Sequence, residues 1–234
     1  MRVGWFSGGC SSLVACKLAK PDTCIYIHVA DQHPDTLRFL HDAESVLGRI
    51  EVLKSSEYAS VDDVQRRERY INGPGGAACT KRLKKWVRQE WEQSHWERHT
   101  YVWGYDIDER HRAERTVDAM PEFDHEFPLI ELNLTKADCH ALCAEWGIDR
   151  PKMYDLGYPN NNCVGCVKGG KGYWNKIRVD FPDVFELRAK REREIGHSCI
   201  KGTFLDELDP NDGRNKIVVP SCSLDCAAVR MEAL

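Results

Sequence analysis

Short, fully apolar runs alternate along this chain with longer stretches whose apolar positions recur every three or four residues. Arg2-Val3-Gly4-Trp5-Phe6 is the first run, Ser7-Gly8-Gly9-Cys10-Ser11-Ser12 is a small polar turn, and Leu13-Val14-Ala15-Cys16-Lys17-Leu18-Ala19 predicts a helix. Cys24-Ile25-Tyr26-Ile27-His28-Val29-Ala30 predicts a strand buried on both faces, as in a parallel sheet. It ends at Asp31-Gln32-His33-Pro34-Asp35-Thr36, a turn with capping residues. A helix follows with Leu37, Leu40, Ala43, Val46 and Leu47 on one face, and Ile50-Glu51-Val52-Leu53 is a third strand. This order predicts right-handed crossovers and a doubly wound, mostly parallel α/β sheet. Ligands of such sheets bind at the carboxyl ends of the strands, where residues 7–12 and 31–36 both fall.

Residues 54–70 are polar and predicted to be helical in part, and Asn72-Gly73-Pro74-Gly75-Gly76 is a loop leading to Cys79. From Thr80 a helix is expected, with Leu83, Trp86, Val87 and Trp91 on its apolar side. Tyr101-Val102-Trp103-Gly104-Tyr105 predicts another strand. Thr135 and Asp138 suit the N-cap and third position of a helix on which Cys139 and Cys143 lie one turn apart, both expected to pack inward. Residues 173–195 predict two helices broken at Phe181-Pro182, with Trp174, Ile177, Val184, Phe185 and Leu187 as core candidates. The division expected is an α/β domain over 1–148 and a mainly helical, cysteine-bearing extension over 149–234 packed on it.

Composition narrows the class. The chain has 234 residues, 30% of them charged, and a formal net charge of −4, so no global basic field announces nucleic acid, although a local patch could bind it. No apolar run approaches a membrane span, and the few apolar residues before Cys10 cannot form a signal sequence, so a cytoplasmic location is expected. Eleven cysteines are many for such a chain, and the odd number argues against a disulfide scaffold. Buried small hydrophobes, metal ligands and reactive thiols are the remaining roles.

Candidate chemistry clusters after the strands. In residues 7–12 the glycines allow close approach of a ligand, and the amides at the helix start with Ser7, Ser11 and Ser12 point at one anion. The spacing and lysine of a Walker A loop are absent. After Gly104, the cluster Asp106-Ile107-Asp108-Glu109-Arg110-His111-Arg112 offers carboxylates for Mg²⁺ and an arginine for phosphate. Its plainer reading is a helix start with favourably placed acids. Lys81, Arg82, Lys84, Lys85 and Arg88 suit a solvated helix face or a basic wall beside phosphates equally well. Cys163-x-x-Cys166 is a strong ligand pair, with a redox dithiol as its rival. Cys222 and Cys226 near the C-terminus are either its partners or reactive thiols.

In this order the motifs resemble the PP-loop enzymes of the phosphoadenosine phosphosulfate (PAPS) reductase-like family, over residues 2–208. Residues 7–12 are similar to its SGGxDS loop, and His33-Pro34-Asp35-Thr36 to its second-strand turn. Gly104 through Asp108 to Arg112, and Leu129, Thr135, Tyr154-Asp155-Leu156-Gly157-Tyr158 and Cys163-x-x-Cys166, resemble its later segments. Ser11 stands where the family has aspartate, and Tyr105-Asp106 where it has arginine. The resemblance implies that ATP or a PAPS-like adenine nucleotide binds at Ser7, Gly8, Gly9, Cys10, Ser11 and Ser12, with Asp31, His33, Gly104 and Arg112 nearby. It also implies a [4Fe–4S] cluster on Cys79, Cys163 and Cys166, with the fourth position taken by Cys222 or Cys226 or left open. The expected activity is sulfur transfer, with a sulfur donor and a nucleic-acid acceptor approached by Lys81, Lys84, Lys85, Lys168 and Lys171. Asp108, Arg112, Cys222 and Cys226 are the catalytic candidates, and Mg²⁺ accompanies the nucleotide if a carboxylate is placed for it. The alternative within the family is reduction of a sulfonucleotide by a tail cysteine, with an external thiol reductant. The alternative outside it is a non-catalytic module with Zn²⁺ on Cys163, Cys166, Cys222 and Cys226. Monomer and homodimer both stay open.

Overall fold

The structure, a computed structural model, describes residues 1–213. Five parallel strands form the sheet: β1 (Arg2–Trp5), β2 (Thr23–Ile27), β3 (Ile50–Leu53), β6 (Thr100–Val102) and β7 (Asp124–Glu126). Their order is β3-β2-β1-β6-β7, and every neighbouring pair is parallel. A two-stranded antiparallel ribbon, β4 (Asn72–Gly73) and β5 (Gly76–Ala77), lies apart from it. The chain winds outward from β1 to β3 in one direction and resumes at β6 in the other. The switch point therefore lies between β1 and β6, the place where such sheets bind ligands.

Alternation along β1 sends Val3 and Trp5 into one apolar layer, and Phe6, just beyond it, into the other. Phe6 packs with α1 (Cys10–Ala19), α2 (Asp35–Leu47) and α8 (Lys136–Glu145). Val3, Trp5 and Tyr101 pack with α5 (Trp86–Ser94) and Ala113 of α6 (Arg110–Ala119). A strand buried from both sides needs apolar residues at successive positions, which is why β1 and β2 are continuous apolar runs. A third apolar cluster joins Val29, Val61 and Leu83 to residues 153–208, including Trp174, Ile177 and Phe185. Its helices are α3 (Val61–Glu68), α4 (Ala78–Thr80), α9 (Lys152–Asp155), α10 (Lys171–Asp180) and α11 (Pro182–Ile195).

Several local expectations are revised. The helix expected from Thr80 contains a π-helical turn, Lys81–Lys85, between α4 and α5. On α2 the buried stripe is Thr36, Phe39, Leu40 and Ala43, leaving Leu37 52% exposed, because Phe39 turns toward the sheet in its place. Leu187 is likewise 41% exposed on the outer face of α11. Strand β7, Asp-His-Glu in sequence, carries no apolar alternation, and its place in the sheet comes from backbone pairing with β6. The N-cap of α8 is as expected: Thr135 Oγ1 accepts from Asp138 N at 3.2 Å, and the Asp138 carboxylate accepts from Thr135 N at 2.8 Å. Cys139 and Cys143 are fully buried on that helix. Among the described residues no helix is long and apolar enough to cross a membrane.

Candidate functional site

The turn after β1 is held by Ser12. Its hydroxyl accepts from Ser7 N at 3.1 Å and donates to Gly9 O at 2.9 Å. Gly8 sits at φ +80°, where a side chain would strain the backbone. Asn161 fastens the turn from outside, donating through Nδ2 to Gly8 O at 2.7 Å and to Thr36 Oγ1 at 3.1 Å. No acidic residue occupies the first turn of α1, whose leading amides have no intrahelical acceptor and suit an anion, although the Tyr154 hydroxyl already takes the Cys10 amide. Behind the turn, the fully buried Cys10 thiol is hydrogen-bonded to that of Cys143, which raises its pKa. Burial pushes the Cys139 thiol up to about 12, although a hydrogen bond with Ser11 opposes this. Both thiols are therefore protonated packing groups rather than nucleophiles.

In front of the turn opens a cavity of about 90 Å³ that is open to solvent at its mouth. Ser7, Gly9, Ser11 and Ser12 line one part of it, and Gly104 comes in from the end of β6. A β-carbon on Gly104 would lie 2.5 Å from Ser12 Cα, so only glycine lets the two strand ends approach. Trp5, Trp103 and Tyr105 supply aromatic surface, the last two parallel within 3°. The Arg112 guanidinium lies 4.8 Å from the centre of the Tyr105 ring and pairs with Glu109, which fixes it toward the cavity. Lys136, from the first turn of α8, and Lys84, from the π-helical turn, add two more cations. Burial lowers the affinity of the Lys136 amine for its proton and raises that of the nearby Asp106 carboxylate.

Of the residues singled out from sequence, Ser7, Gly9, Ser11, Ser12, Gly104 and Arg112 meet here. Gly8 shapes the turn without lining the cavity, and Cys10 points behind it. Asp31 is occupied elsewhere: its carboxylate accepts from Val61 N at 2.7 Å and from Arg188 Nη2 at 2.6 Å. His33 Nδ1 accepts from Asp35 N, and its ring meets Phe181 edge-on. Asp108 lies in the 3-10 turn after Asp106, which caps it, and does not line the cavity. Lys136, Tyr154 and Asn161 join the cavity without having been singled out as site residues. The run Asn160-Asn161-Asn162 was the available signal, since three adjacent amides beside a ligand loop suit close hydrogen bonding.

A second, smaller cavity lies beside the first, and Lys84 lines both. Cys79, Cys163 and Cys166 line it among Val29, Val61, Leu83 and Val167. Tyr173 braces the Cys163–Cys166 turn, its hydroxyl accepting from Cys166 N at 2.9 Å and donating to Cys163 O at 3.2 Å. Cys199 belongs to the same apolar cluster and was not singled out from sequence. Soft thiols in an apolar enclosure are chemically suited to iron or zinc. Yet among the described residues no three His, Cys, Asp or Glu side chains are gathered as a metal-binding group. The described thiols are therefore not gathered around a single metal ion, and no step is derived through a metal or a cluster. Cys222 and Cys226 lie outside the described residues. Of the lysines expected to face an acceptor, Lys171 is paired with Asp212 at 2.7 Å.

Fold and cavity together define an α/β protein with a glycine turn and a cation-lined cavity at the switch point of a parallel sheet. The chain is similar to the crystal structure of phosphoadenylyl-sulfate (PAPS) reductase from Candida auris in a phosphate complex, with a TM-score of 0.49 and 14% sequence identity, covering 69% of this chain and 80% of that one. No family model and no curated protein matches the chain.

Proposed function

We propose that this protein is a PP-loop-type enzyme of sulfur metabolism that binds an adenine nucleotide by its phosphates. One observation carries the reading: the glycine turn, the first turn of α1 with Ser11 and Ser12, Arg112 and Lys136 all converge on one cavity. Such donors, fixed before the ligand arrives, stabilise charge developing on a phosphate or sulfate oxygen. Trp5, Trp103 and Tyr105 offer flat apolar surface for a base. The thiol-lined cavity reached across Lys84 would bring sulfur chemistry beside the phosphates.

Two reactions suit this arrangement. Sulfur transfer would adenylate an acceptor, a nucleic acid among the candidates, before sulfur attacks. Reduction would cleave a sulfonucleotide with a tail thiol, Cys222 or Cys226, and regenerate it with an external thiol. The cationic cavity favours the second, because its lining carboxylate, Glu109, is already paired with Arg112 and leaves Mg²⁺–ATP poorly served. Incubation with PAPS is expected to release sulfite, with no consumption of ATP. ATP conversion to AMP and pyrophosphate without sulfite would establish transfer instead, and failure to bind any adenine nucleotide would remove both. Iron and acid-labile sulfide in anaerobically purified protein decide whether the thiols of Cys79, Cys163 and Cys166 turn together around a cluster, and zinc without iron would favour the binding module.

A further inference from the structure

We infer that the cavity takes up its ligand's phosphates as a metal-free polyanion, with Lys136 as the cation that grips them. The inference rests on the reading of this cavity as a phosphate site and extends it to the form of the ligand. Among the described residues, three cations line the cavity, Lys84, Arg112 and Lys136, against one carboxylate, Glu109. Both oxygens of Glu109 are engaged, Oε1 by Arg112 and Oε2 by the Asp106 amide at 3.3 Å. Magnesium is held in nucleotide sites by one or two carboxylates together with the phosphates, and no lining carboxylate is left for that role. Of the carboxylates outside the lining, exposed Asp108 does not border the cavity, and the other two are engaged by their surroundings. Asp31 is bound to Arg188 and the Val61 amide, and Asp106 is buried, accepting from Asp108 N at 3.2 Å.

Lys136 is placed to do what a divalent cation would. Its ammonium donates to Asn160 Oδ1 at 2.8 Å and to Pro159 O at 3.3 Å, both neutral acceptors, and it makes no ion pair with a described carboxylate. An ammonium has three donors, so one remains for a ligand oxygen, and its charge is not neutralised by a direct partner. Complexed magnesium would offset part of the charge that these three cations recognise, whereas the free anion keeps all of it.

Inorganic pyrophosphate tests this, titrated calorimetrically in EDTA and again in excess Mg²⁺. Wild-type protein should bind it in EDTA and several-fold more weakly with Mg²⁺. Lys136→Met should weaken binding on the order of ten- to a hundredfold, the range for a lost charged hydrogen bond, and Lys136→Arg should recover most of it. Thermal unfolding checks that the variants are folded, and Lys136→Gln, which keeps a donor for Asn160, decides if the methionine variant is not. Pyrophosphate bound only with Mg²⁺, or bound equally by Lys136→Met, overturns the inference. The two readings fail separately. Adenine nucleotide bound only as its magnesium complex sinks the inference and leaves the nucleotide reading intact. Pyrophosphate bound without metal while adenine nucleotides are ignored does the reverse.

Discussion

A methyl group on Gly104 would occupy space now filled by the backbone of Ser12, at 2.5 Å from its Cα and 2.6 Å from its N. Neither strand end can yield without moving the glycine turn. Gly104→Ala is therefore expected to cost about 1–3 kcal/mol of stability in urea unfolding and to abolish measurable nucleotide binding by calorimetry. Lys136 gives a pH dependence at the same scale. Burial lowers its pKa in the free protein, against which Asp106, Asp108 and Cys139 favour its charge and Arg112 opposes it. A bound polyanion favours the charged form, so affinity should hold while Lys136 is protonated and fall as pH rises through its lowered pKa. Calorimetry from about pH 7 to about pH 10 should show this fall before an ordinary lysine would titrate, and Lys136→Arg should stay flat.

At the level of elements, the turn after β2 lends Gln32 to the cavity, while its Asp31 ties three parts of the chain together. Asp31 holds α3 through Val61 N and α11 through Arg188, and its carbonyl accepts from Val164 N at 2.8 Å. Arg188 is only 2% exposed, so Asp31→Asn would leave a buried charge with only the more distant Asp62 carboxylate, at 3.9 Å, to balance it. It should lower unfolding free energy by about 3–5 kcal/mol while leaving phosphate affinity at permissive temperature nearly unchanged. A large loss of affinity with intact stability would return Asp31 to the ligand site. Sequence placed Asp31 correctly at a strand end, but its partner lies 157 positions away and no local pattern connects them. The π-helical turn at Lys81–Lys85 was equally hidden. Its wider turn accommodates Leu83 in the thiol cavity and Lys84 between the two cavities, a placement that depends on the packing around it.

For the whole molecule, the third apolar cluster sets what can fold alone. Val29, Val61 and Leu83 from the first part of the chain share it with Met153, Trp174, Ile177 and Phe185 from the second. A fragment of residues 1–148 would expose that shared surface, so it is expected to lack a cooperative thermal transition, measured by calorimetry against the full chain. A sharp melt for the fragment would make 149–234 an appendage rather than half of a core. Trp174, fully buried at the centre, should cost about 3–5 kcal/mol when changed to alanine.

What the sequence determined by itself is whatever depends on neighbours in the chain. The apolar runs of β1 and β2, the glycine turn at residues 7–12, the Thr135 cap and the break at Phe181-Pro182 are local, because burial on both faces, positive φ and capping each act over a few residues. Tertiary structure alone decided the rest. It turned Cys10 away to Cys143, gave Asp31 to Arg188, recruited the polar strand β7 through its backbone, and brought Lys136 and Asn161 to the glycine turn. Those outcomes depend on which groups meet across separations from 24 positions, as for Thr100 and Asp124, to 157, as for Asp31 and Arg188, and on how much water they lose when they do, and neither is written in any short stretch of the chain.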